Sequence, residues 1–292
     1  MATASQWIAG ARPRTLPAAF APVAVGTGVA GYEGSINPLA ALLALLVSVS
    51  LQIGVNYAND YSDGVKGTDK ARVGPVRLVG QGLASAQAVR AAALLTLAIG
   101  GGFGFLLVAL TQTWWLLIVG ALAIAAAWLY TGGPRPYGYA GLGEAFVFVF
   151  FGIVAVVGTA YTQVGYVSAV GWVAAFAPGL WSVAILMVNN IRDIPGDRTV
   201  GKRTLAVRLG NHRSRNLFSG TVLAGFLAVV LCGLWTPWAL LGMLALPLAI
   251  SPIRIVQSDA AGKGLIPALG TTSRVLLAGG LLLGLGLGLG GP

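Results

Sequence analysis

Charged residues are scarce in this chain. Of its 292 residues only 9% are charged, whereas 57% are hydrophobic. An ordinary soluble domain has about 25% charged residues, so this sequence cannot cover a water-exposed surface. The 43 glycines fit a membrane bundle, because small residues let helices approach closely in lipid. We therefore predict an all-α integral membrane protein.

Cysteine and histidine each occur once. A single cysteine excludes an intramolecular disulfide, and Cys232 lies in an apolar segment, where we interpret it as a small packing residue. His212 lies among Arg and Asn residues of a polar loop, and we assign it no role.

Basic residues outnumber acidic residues by 18 to 8, and the formal net charge is +10. In a soluble protein this charge would raise the question of nucleic acid binding. Here the Lys and Arg residues occupy alternate gaps between apolar segments, which is the positive-inside pattern. We therefore predict membrane lipid and no nucleic acid as partner. We also predict the cell inner (plasma) membrane as location, with the N-terminus and the Asp-rich loops in the cytoplasm and Pro292 on the far side.

The apolar segments can be counted as spans, because crossing the hydrocarbon takes roughly 20 residues. We predict a single domain, residues 1–292, that forms a bundle of about nine transmembrane helices. Breaks are expected at residues 111–113, around Gly165 and at Thr236–Pro237. The predicted spans are 15–32, 34–59, two in 91–134, two in 145–191, two in 216–253, and 275–292.

Four of the eight acidic residues fall in two short clusters at the ends of predicted spans. Residues 56–63 read NYANDYSD and residues 189–197 read NNIRDIPGD. Positions three and four apart share a helix face, so the Asn and Asp residues of the first cluster are predicted to form one polar stripe. The spacing Asn-x-x-x-Asp occurs in both clusters, as in a repeat with a site at its interface. Pro195 and Gly196 indicate a turn, so Asp197 is expected beyond the helix end.

Clusters of Asp and Asn predict a magnesium site. Two carboxylates about 6 Å apart repel by roughly 3 kcal/mol at an effective dielectric near 20, so a positive group is expected between them. Magnesium is usually bound by one or two carboxylates together with substrate phosphates. Metal ions and cations beside an apolar bundle predict a site for a diphosphate with a hydrocarbon tail. Basic residues in the same loops are Lys66, Arg72, Arg77, Arg198, Lys202, Arg203 and Arg208.

A third loop, residues 130–144, reads YTGGPRPYGYAGLGE. The rings of Tyr137 and Tyr139 could shield a carbocation by cation–π attraction, or they could be interfacial aromatics. The sequence leaves both interpretations open.

These motifs resemble the UbiA superfamily of intramembrane prenyltransferases, and within it the 1,4-dihydroxy-2-naphthoate polyprenyltransferases. The resemblance ends near residue 210, and the last third of the chain is similar only in hydropathy. The motifs are RPRTLP at 12–17, NYANDYSD at 56–63, KGTD at 66–69, YGYAGLGE at 137–144, NNIRD at 189–193 and GKRTLAVRLG at 201–210.

The resemblance implies transfer of a polyprenyl group from polyprenyl diphosphate to 1,4-dihydroxy-2-naphthoate in menaquinone biosynthesis. Diphosphate and CO2 are lost, and a demethylmenaquinol is formed. Mg2+ is the implied cofactor, and its implied ligands are Asp60, Asp63, Asp193 and Asp197. The candidate substrate-binding residues are Asn56, Asn59, Lys66, Arg77, Tyr137, Tyr139, Asn189, Asn190, Lys202 and Arg203. The candidate partners of the acceptor's carboxylate are Arg12, Arg14 and Arg77.

Two matters stay open at this point. The general superfamily motif, counted from Asn59, reaches Asp63 and then Gly67, so it leaves undecided which two of Asp60, Asp63 and Asp69 contact metal. The alternative functions are prenyl transfer to another aromatic acceptor, such as 4-hydroxybenzoate, and cation transport by carboxylates in the membrane. Aspartates at span ends beside basic loops favour the diphosphate.

Overall fold

The computed structural model describes residues 2–68, 74 and 76–291, and no β-strand occurs in that part of the chain. Asp69 and Arg72, which the sequence places near the first cluster, lie outside the described residues. The helices are α1 (Ala4–Gly10), α2 (Pro17–Tyr32), α3 (Pro38–Val65), α4 (Ala86–Thr111), α5 (Leu116–Leu129), α6 (Gly143–Val164), α7 (Ala169–Thr199), α8 (Leu205–Leu209), α9 (Asn211–Cys232), α10 (Pro237–Gln257) and α11 (Gly262–Leu289).

Seven of these helices, namely α3, α4, α6, α7, α9, α10 and α11, are long and apolar enough to cross a membrane. Helix α5 is apolar but has only 14 residues, and α2 has 16 residues and no charged side chain. With these two shorter helices, the described part of the chain agrees with the prediction of about nine.

The predicted breaks between spans are confirmed. Helix α4 ends at Thr111, and Gln112 follows in the left-handed region with a φ of 57°. Helix α6 ends before Gly165, whose φ is 80°, and Pro237 begins α10 at a position that needs no backbone donor. Each break therefore has a local cause in the sequence.

Helix α7 continues through Pro195 to Thr199, so the expectation that Asp197 lies beyond the helix end was wrong. Proline inside a helix removes one backbone hydrogen bond and crowds the carbonyl four residues earlier, yet the helix continues here for one further turn. The last turn gains a hydrogen bond from the Thr199 hydroxyl to the Gly196 carbonyl, at 2.7 Å. Asp193 and Asp197 consequently lie one turn apart on the same helix.

Two other boundaries differ from the predicted ones. Helix α3 runs to Val65 rather than ending at Asn59, so the whole first cluster is helical. Helix α11 begins at Gly262 rather than Val275. Its two charged side chains, Lys263 and Arg274, are both exposed, and a long cationic side chain can extend from an apolar helix towards water.

Glycines set the closest helix contacts. A Cβ atom on Gly28 of α2 would lie 2.0 Å from the carbonyl oxygen of Gly284 in α11. The alternating glycines of the last helix therefore form a close-packing surface, in keeping with the general role of small residues in a membrane bundle. Helices α3, α4 and α5 lie on one side of a large cavity and α6 and α7 on the other, while α2 contacts both sides.

Candidate active site

The cavity joins a polar end to a long apolar interior. Its volume is about 570 Å3, which lies in the range of small-molecule sites. Lining residues of α3 extend from Ala44 to Asp63, a distance of about 28 Å at a rise of about 1.5 Å per residue. The apolar walls include Leu107, Leu116 and Phe150. This shape suits a ligand with a charged head and an extended hydrocarbon tail.

Three aspartates, Asp63, Asp193 and Asp197, line the polar end, and we call them the aspartate cluster. Helix α3 supplies the first and α7 the other two, so the cavity brings together the ends of two helices that are far apart in sequence. Helical spacing explains why Asp193 and Asp197 reach the same wall, because residues four apart share a helix face.

Asp63 receives donors from several segments of the chain. It is 2% exposed, and its Oδ1 accepts a 2.6 Å hydrogen bond from the Tyr139 hydroxyl. Lys202 Nζ lies 3.3 Å from Oδ1, and Arg77 Nη2 lies 3.6 Å from Oδ2. These donors come from three separate loops, so Asp63 is the residue on which the polar end converges.

Cationic side chains also lie beside the two carboxylates of α7, Asp193 and Asp197. Arg192 donates from Nε to Asp193 Oδ1 at 2.7 Å and from Nη2 to Oδ2 at 2.8 Å, a bidentate arrangement. Lys202 Nζ lies 3.9 Å from Asp197 Oδ1 and therefore bridges both helices. The positive groups expected beside the carboxylates are therefore provided here by the protein's own Arg192 and Lys202.

Asp60 lies behind the cavity wall rather than in it. It is fully buried. Its Oδ2 accepts a hydrogen bond from the Leu78 backbone N–H at 2.6 Å, and its Oδ1 accepts one from Val79 at 3.1 Å. The carboxylate therefore holds the segment that presents Arg77 to Asp63. Its assignment as a metal ligand stays a prediction.

Asparagines complete the polar wall. Asn56, Asn59, Asn189 and Asn190 all line the cavity. The Thr131 hydroxyl donates to Asn59 Oδ1 at 2.8 Å, and Asn190 Nδ2 donates to Glu144 Oε1 at 2.8 Å. Partners in the 130–144 loop and on α6 thus fix the amides of Asn59 and Asn190.

The two tyrosines of the third loop have different environments. Tyr137 stacks on Phe146 with ring centroids 4.1 Å apart, and its hydroxyl donates to the Ala126 carbonyl. Burial raises the pKa of the Tyr137 phenol, which therefore remains a donor. The Tyr139 ring has Lys202 Nζ at 4.4 Å and Lys66 Nζ at 5.1 Å from its centroid. Both rings line the cavity, but the protein's own lysines contact Tyr139.

Two predicted residues have side chains outside the cavity lining. Lys66 is exposed, and its ammonium donates to the carbonyls of Thr131 and Gly133 at 2.7 and 3.2 Å. The pKa of Lys66 is lowered from its ordinary value. Partial burial of the ammonium is the largest cause, and the nearby charge of Lys202 adds to it, while Asp63 acts in the opposite direction. Arg203 is exposed; its backbone N–H donates to the Tyr139 carbonyl at 2.8 Å, and its carbonyl accepts from Arg208 Nε at 3.1 Å.

The sequence interpretation missed several polar lining residues. Ser48 and Gln52 precede Asn56 at helical spacing, and Thr15 and Thr131 face the same cavity. The spacing of Ser48 and Gln52 could have been read from the sequence by extending the polar stripe towards the N-terminus of α3. The two threonines have no such pattern.

The donor set fits magnesium bound together with a diphosphate. Formally, the charges of the three cluster aspartates are balanced by those of Arg77, Arg192 and Lys202, so an added diphosphate would bring uncompensated negative charge. Among the described residues, no three His, Cys, Asp or Glu side chains are grouped closely enough to hold a metal by themselves. Magnesium typically takes one or two carboxylates and completes its shell with substrate phosphates and water, which is the arrangement available here.

The chain is similar to known proteins over nearly its whole length. The profile of the UbiA prenyltransferase family matches residues 19–264. A 1,4-dihydroxy-2-naphthoate octaprenyltransferase of Mycobacterium tuberculosis is 54% identical over 278 residues, covering 95% of this chain and 94% of that protein. The enzyme of the same name from Escherichia coli is 40% identical over 290 residues, covering 96% and 94% respectively.

A solved structure has the same fold. The UbiA homologue from Archaeoglobus fulgidus bound to GPP and Mg2+ superposes with a TM-score of 0.68, covering 95% of this chain and 99% of that chain. The sequence identity is only 14%, so this similarity concerns the helical architecture alone.

Proposed function

Because the chain belongs to the UbiA prenyltransferase family, we propose that it transfers a polyprenyl group from polyprenyl diphosphate to 1,4-dihydroxy-2-naphthoate. Diphosphate and CO2 are released, and the product is a demethylmenaquinol of menaquinone biosynthesis. The relatives of that name at 54% and 40% identity support this acceptor. The observation that carries the proposal is the long apolar cavity that ends at the aspartate cluster.

Mg2+ is the proposed cofactor, and the candidate ligands are Asp63, Asp193 and Asp197, of which one or two would bind an ion together with the diphosphate. When bound, it withdraws negative charge from the diphosphate and so makes it a better leaving group. Arg77 and Lys202 lie next to Asp63, and in this proposal they would bind phosphate oxygens. Asn59 and Asn189 add polar groups at the same wall.

The reaction breaks the bond between prenyl C1 and the diphosphate oxygen, and the leaving group takes the electron pair. The electron-rich ring then forms the new carbon–carbon bond to the allylic cation, and its carboxylate leaves as CO2. The rings of Tyr130, Tyr137 and Phe146 line the cavity, and the negatively polarised face of an aromatic ring would stabilise such a cation. The apolar walls exclude the water that would otherwise trap it.

The test is an acceptor competition with purified protein in detergent. The protein receives polyprenyl diphosphate, Mg2+ and either carboxyl-labelled 1,4-dihydroxy-2-naphthoate or 4-hydroxybenzoate. We expect a prenylated product and labelled CO2 from the naphthoate. Prenylation of the benzoate with its carboxylate retained would assign the chain to the branch that acts on other aromatic acceptors, and no turnover with either would contradict prenyl transfer.

The proposed location is the cell inner membrane with the polar end of the cavity on the cytoplasmic side, which the alternate spacing of Lys and Arg supports. Single cysteines in a Cys232→Ala background test this. A cysteine that replaces exposed Arg135 or Arg203 should react with a membrane-impermeant thiol reagent from the cytoplasmic side. A cysteine that replaces exposed Ser35 should react from the other side. Labelling of Arg135 and Arg203 positions from opposite sides would exclude the topology.

A further inference from the structure

A line of polar side chains extends from the aspartate cluster into the apolar part of the cavity. Its members recur at three- and four-residue spacing on α3, and we call them the polar ladder: Ser48, Gln52, Asn56, Asn59 and Asp63. Gln52 lies about 16 Å from Asp63 along the helix axis, at about 1.5 Å per residue. A hydrocarbon tail forms no hydrogen bonds, so polar groups this deep indicate a second, polar ligand.

Gln52 offers that ligand a hydrogen-bond acceptor. The residue is 6% exposed. Its Nε2 donates to Thr15 Oγ1 at 2.8 Å, whereas its buried Oε1 accepts no hydrogen bond from the described residues. A buried acceptor without a donor is costly and rare in native proteins. A ligand hydroxyl in the cavity would supply the donor.

The orientation of the Gln52 amide is determined by its neighbour. The Thr15 hydroxyl donates its one proton to the Arg12 carbonyl at 2.9 Å, so Thr15 Oγ1 can only accept from other partners. It accepts from Gln52 Nε2 and from Asn56 Nδ2, the latter at 3.0 Å. The amide nitrogen of Gln52 must therefore face Thr15, which leaves Oε1 for the ligand.

The same contacts hold Arg12 in an unusual backbone conformation. Its φ is 55°, a left-handed value that non-glycine residues rarely adopt. Asn56 Nδ2 donates to the carbonyl of the preceding Ala11 at 2.9 Å, and the Thr15 backbone N–H donates to the Arg12 carbonyl at 2.9 Å. Strained residues of this kind cluster at ligand sites. Here the bend brings the Arg12 side chain to the cavity wall, while Arg14 is exposed and outside the lining.

We propose that Arg12 and Gln52 form the subsite for the aromatic acceptor. The Arg12 guanidinium pairs with the acceptor's carboxylate, and Gln52 Oε1 accepts a hydrogen bond from a ring hydroxyl. This subsite rests on the proposed function. A hydroxylated aromatic carboxylate offers both the anion and the donor, whereas an ionised diphosphate offers no hydroxyl proton to Gln52 and a prenyl tail offers neither.

Arg12→Gly is the sharpest first variant, because glycine adopts a φ of 55° without strain and only the side chain is lost. We expect the KM for the acceptor to rise at least about tenfold, as for loss of a charged hydrogen-bond partner, and the KM for polyprenyl diphosphate to change less than about twofold. Arg12→Lys should recover part of the loss. The matched control is Arg14→Ala, with both constants unchanged.

Gln52→Met keeps the side-chain length and removes the acceptor atom. Calorimetric titration of the protein in detergent compares 1,4-dihydroxy-2-naphthoate with the two analogues that lack either the 1- or the 4-hydroxyl. The wild type should bind one analogue about tenfold more weakly, and Gln52→Met should lose this discrimination. Thermal unfolding of each variant, measured alongside, detects any loss of folding.

Three results are decisive. A rise in the KM for polyprenyl diphosphate in Arg12→Gly would assign Arg12 to the diphosphate and overturn the subsite. Unaltered discrimination between the analogues in folded Gln52→Met would overturn the role of Gln52. If the wild type prenylates the naphthoate while neither variant changes acceptor binding, the subsite fails and the function stands, whereas an inactive wild type contradicts the function itself.

Discussion

The C-terminal ends of α3 and α7 have the same Asn-x-x-x-Asp spacing, but their aspartates have different partners. Each helix has one aspartate immobilised by its own surroundings: Asp60 by the backbone N–H groups of Leu78 and Val79, and Asp193 by the Arg192 guanidinium. Each helix also has a second aspartate, and Lys202 lies near both of these, Asp63 and Asp197. The motif Asn-x-x-x-Asp therefore has a structural role at one end and faces the cavity at the other.

The difference lies in what each partner can do when a ligand binds. Backbone donors cannot leave Asp60 unless the segment that holds Arg77 moves, whereas a guanidinium or ammonium can rotate towards a phosphate. The carboxylates paired with side chains can thus exchange a cation for a metal ion. Substitutions at Asp63, Asp193, Asp60 and Lys202 separate these cases.

Asp63→Asn should have the largest effect. Asp63 is the meeting point of Tyr139, Lys202 and Arg77, and loss of its charge should lower kcat at least about a hundredfold, as for removal of charge stabilisation at a transition state. Chelation of the wild type should abolish turnover, and added Mg2+ should restore it. Near-normal turnover of the variant across a Mg2+ titration would contradict a metal site at Asp63.

Asp193→Ala should reduce both stability and activity. The Arg192 side chain is only 1% exposed, and removing one partner of a buried ion pair costs about 3–5 kcal/mol. Removing both charges, in Arg192→Met with Asp193→Asn, should restore the unfolding temperature in detergent but not turnover. Recovery of turnover by the double variant would reduce Asp193 to a structural residue.

Asp60→Asn should lower kcat by an intermediate amount, through a shifted backbone segment rather than through loss of a metal ligand. The amide keeps one acceptor but turns its NH2 group towards a backbone N–H, so the segment at Leu78 and Val79 loosens. We expect about a tenfold lower kcat, consistent with a misplaced contact, without a change in the Mg2+ concentration that gives half-maximal activity.

Hydrogen exchange provides an independent measurement for Asp60→Asn, because the amides of Leu78 and Val79 should exchange faster. A shift in Mg2+ requirement as large as that of Asp63→Asn would instead make Asp60 a metal ligand, as first predicted from the sequence.

The smallest expected effect concerns substrate binding, and it distinguishes two adjacent basic residues, Lys202 and Arg203. Lys202 is buried between Asp63 and Asp197, while Arg203 is exposed. Lys202→Ala should raise the KM for polyprenyl diphosphate about tenfold or more, and Arg203→Ala should change it less than about twofold. Equal effects would mean that the charge of the loop, rather than the position of the ammonium, binds the diphosphate.

Local properties of the chain were readable from the sequence. Hydropathy and the positions of Gln112, Gly165 and Pro237 predicted the helices and their breaks, because these depend on neighbouring residues. Helical spacing also predicted the stripe that brings Asn56, Asn59 and Asp63 to one face. The same reasoning failed at Pro195, because the Pro-Gly pair predicted a turn but the helix continues through it to Thr199.

By itself, then, the sequence determined the membrane class, the order of the helices and the residue types at the polar end. Only the tertiary structure decided which of these residues face the cavity. Asp60 and Asp63 are three residues apart on one helix, yet one meets a backbone segment and the other meets Lys202, which is 139 residues distant. The partner of a carboxylate depends on how distant segments pack, and helical periodicity carries no information about that packing.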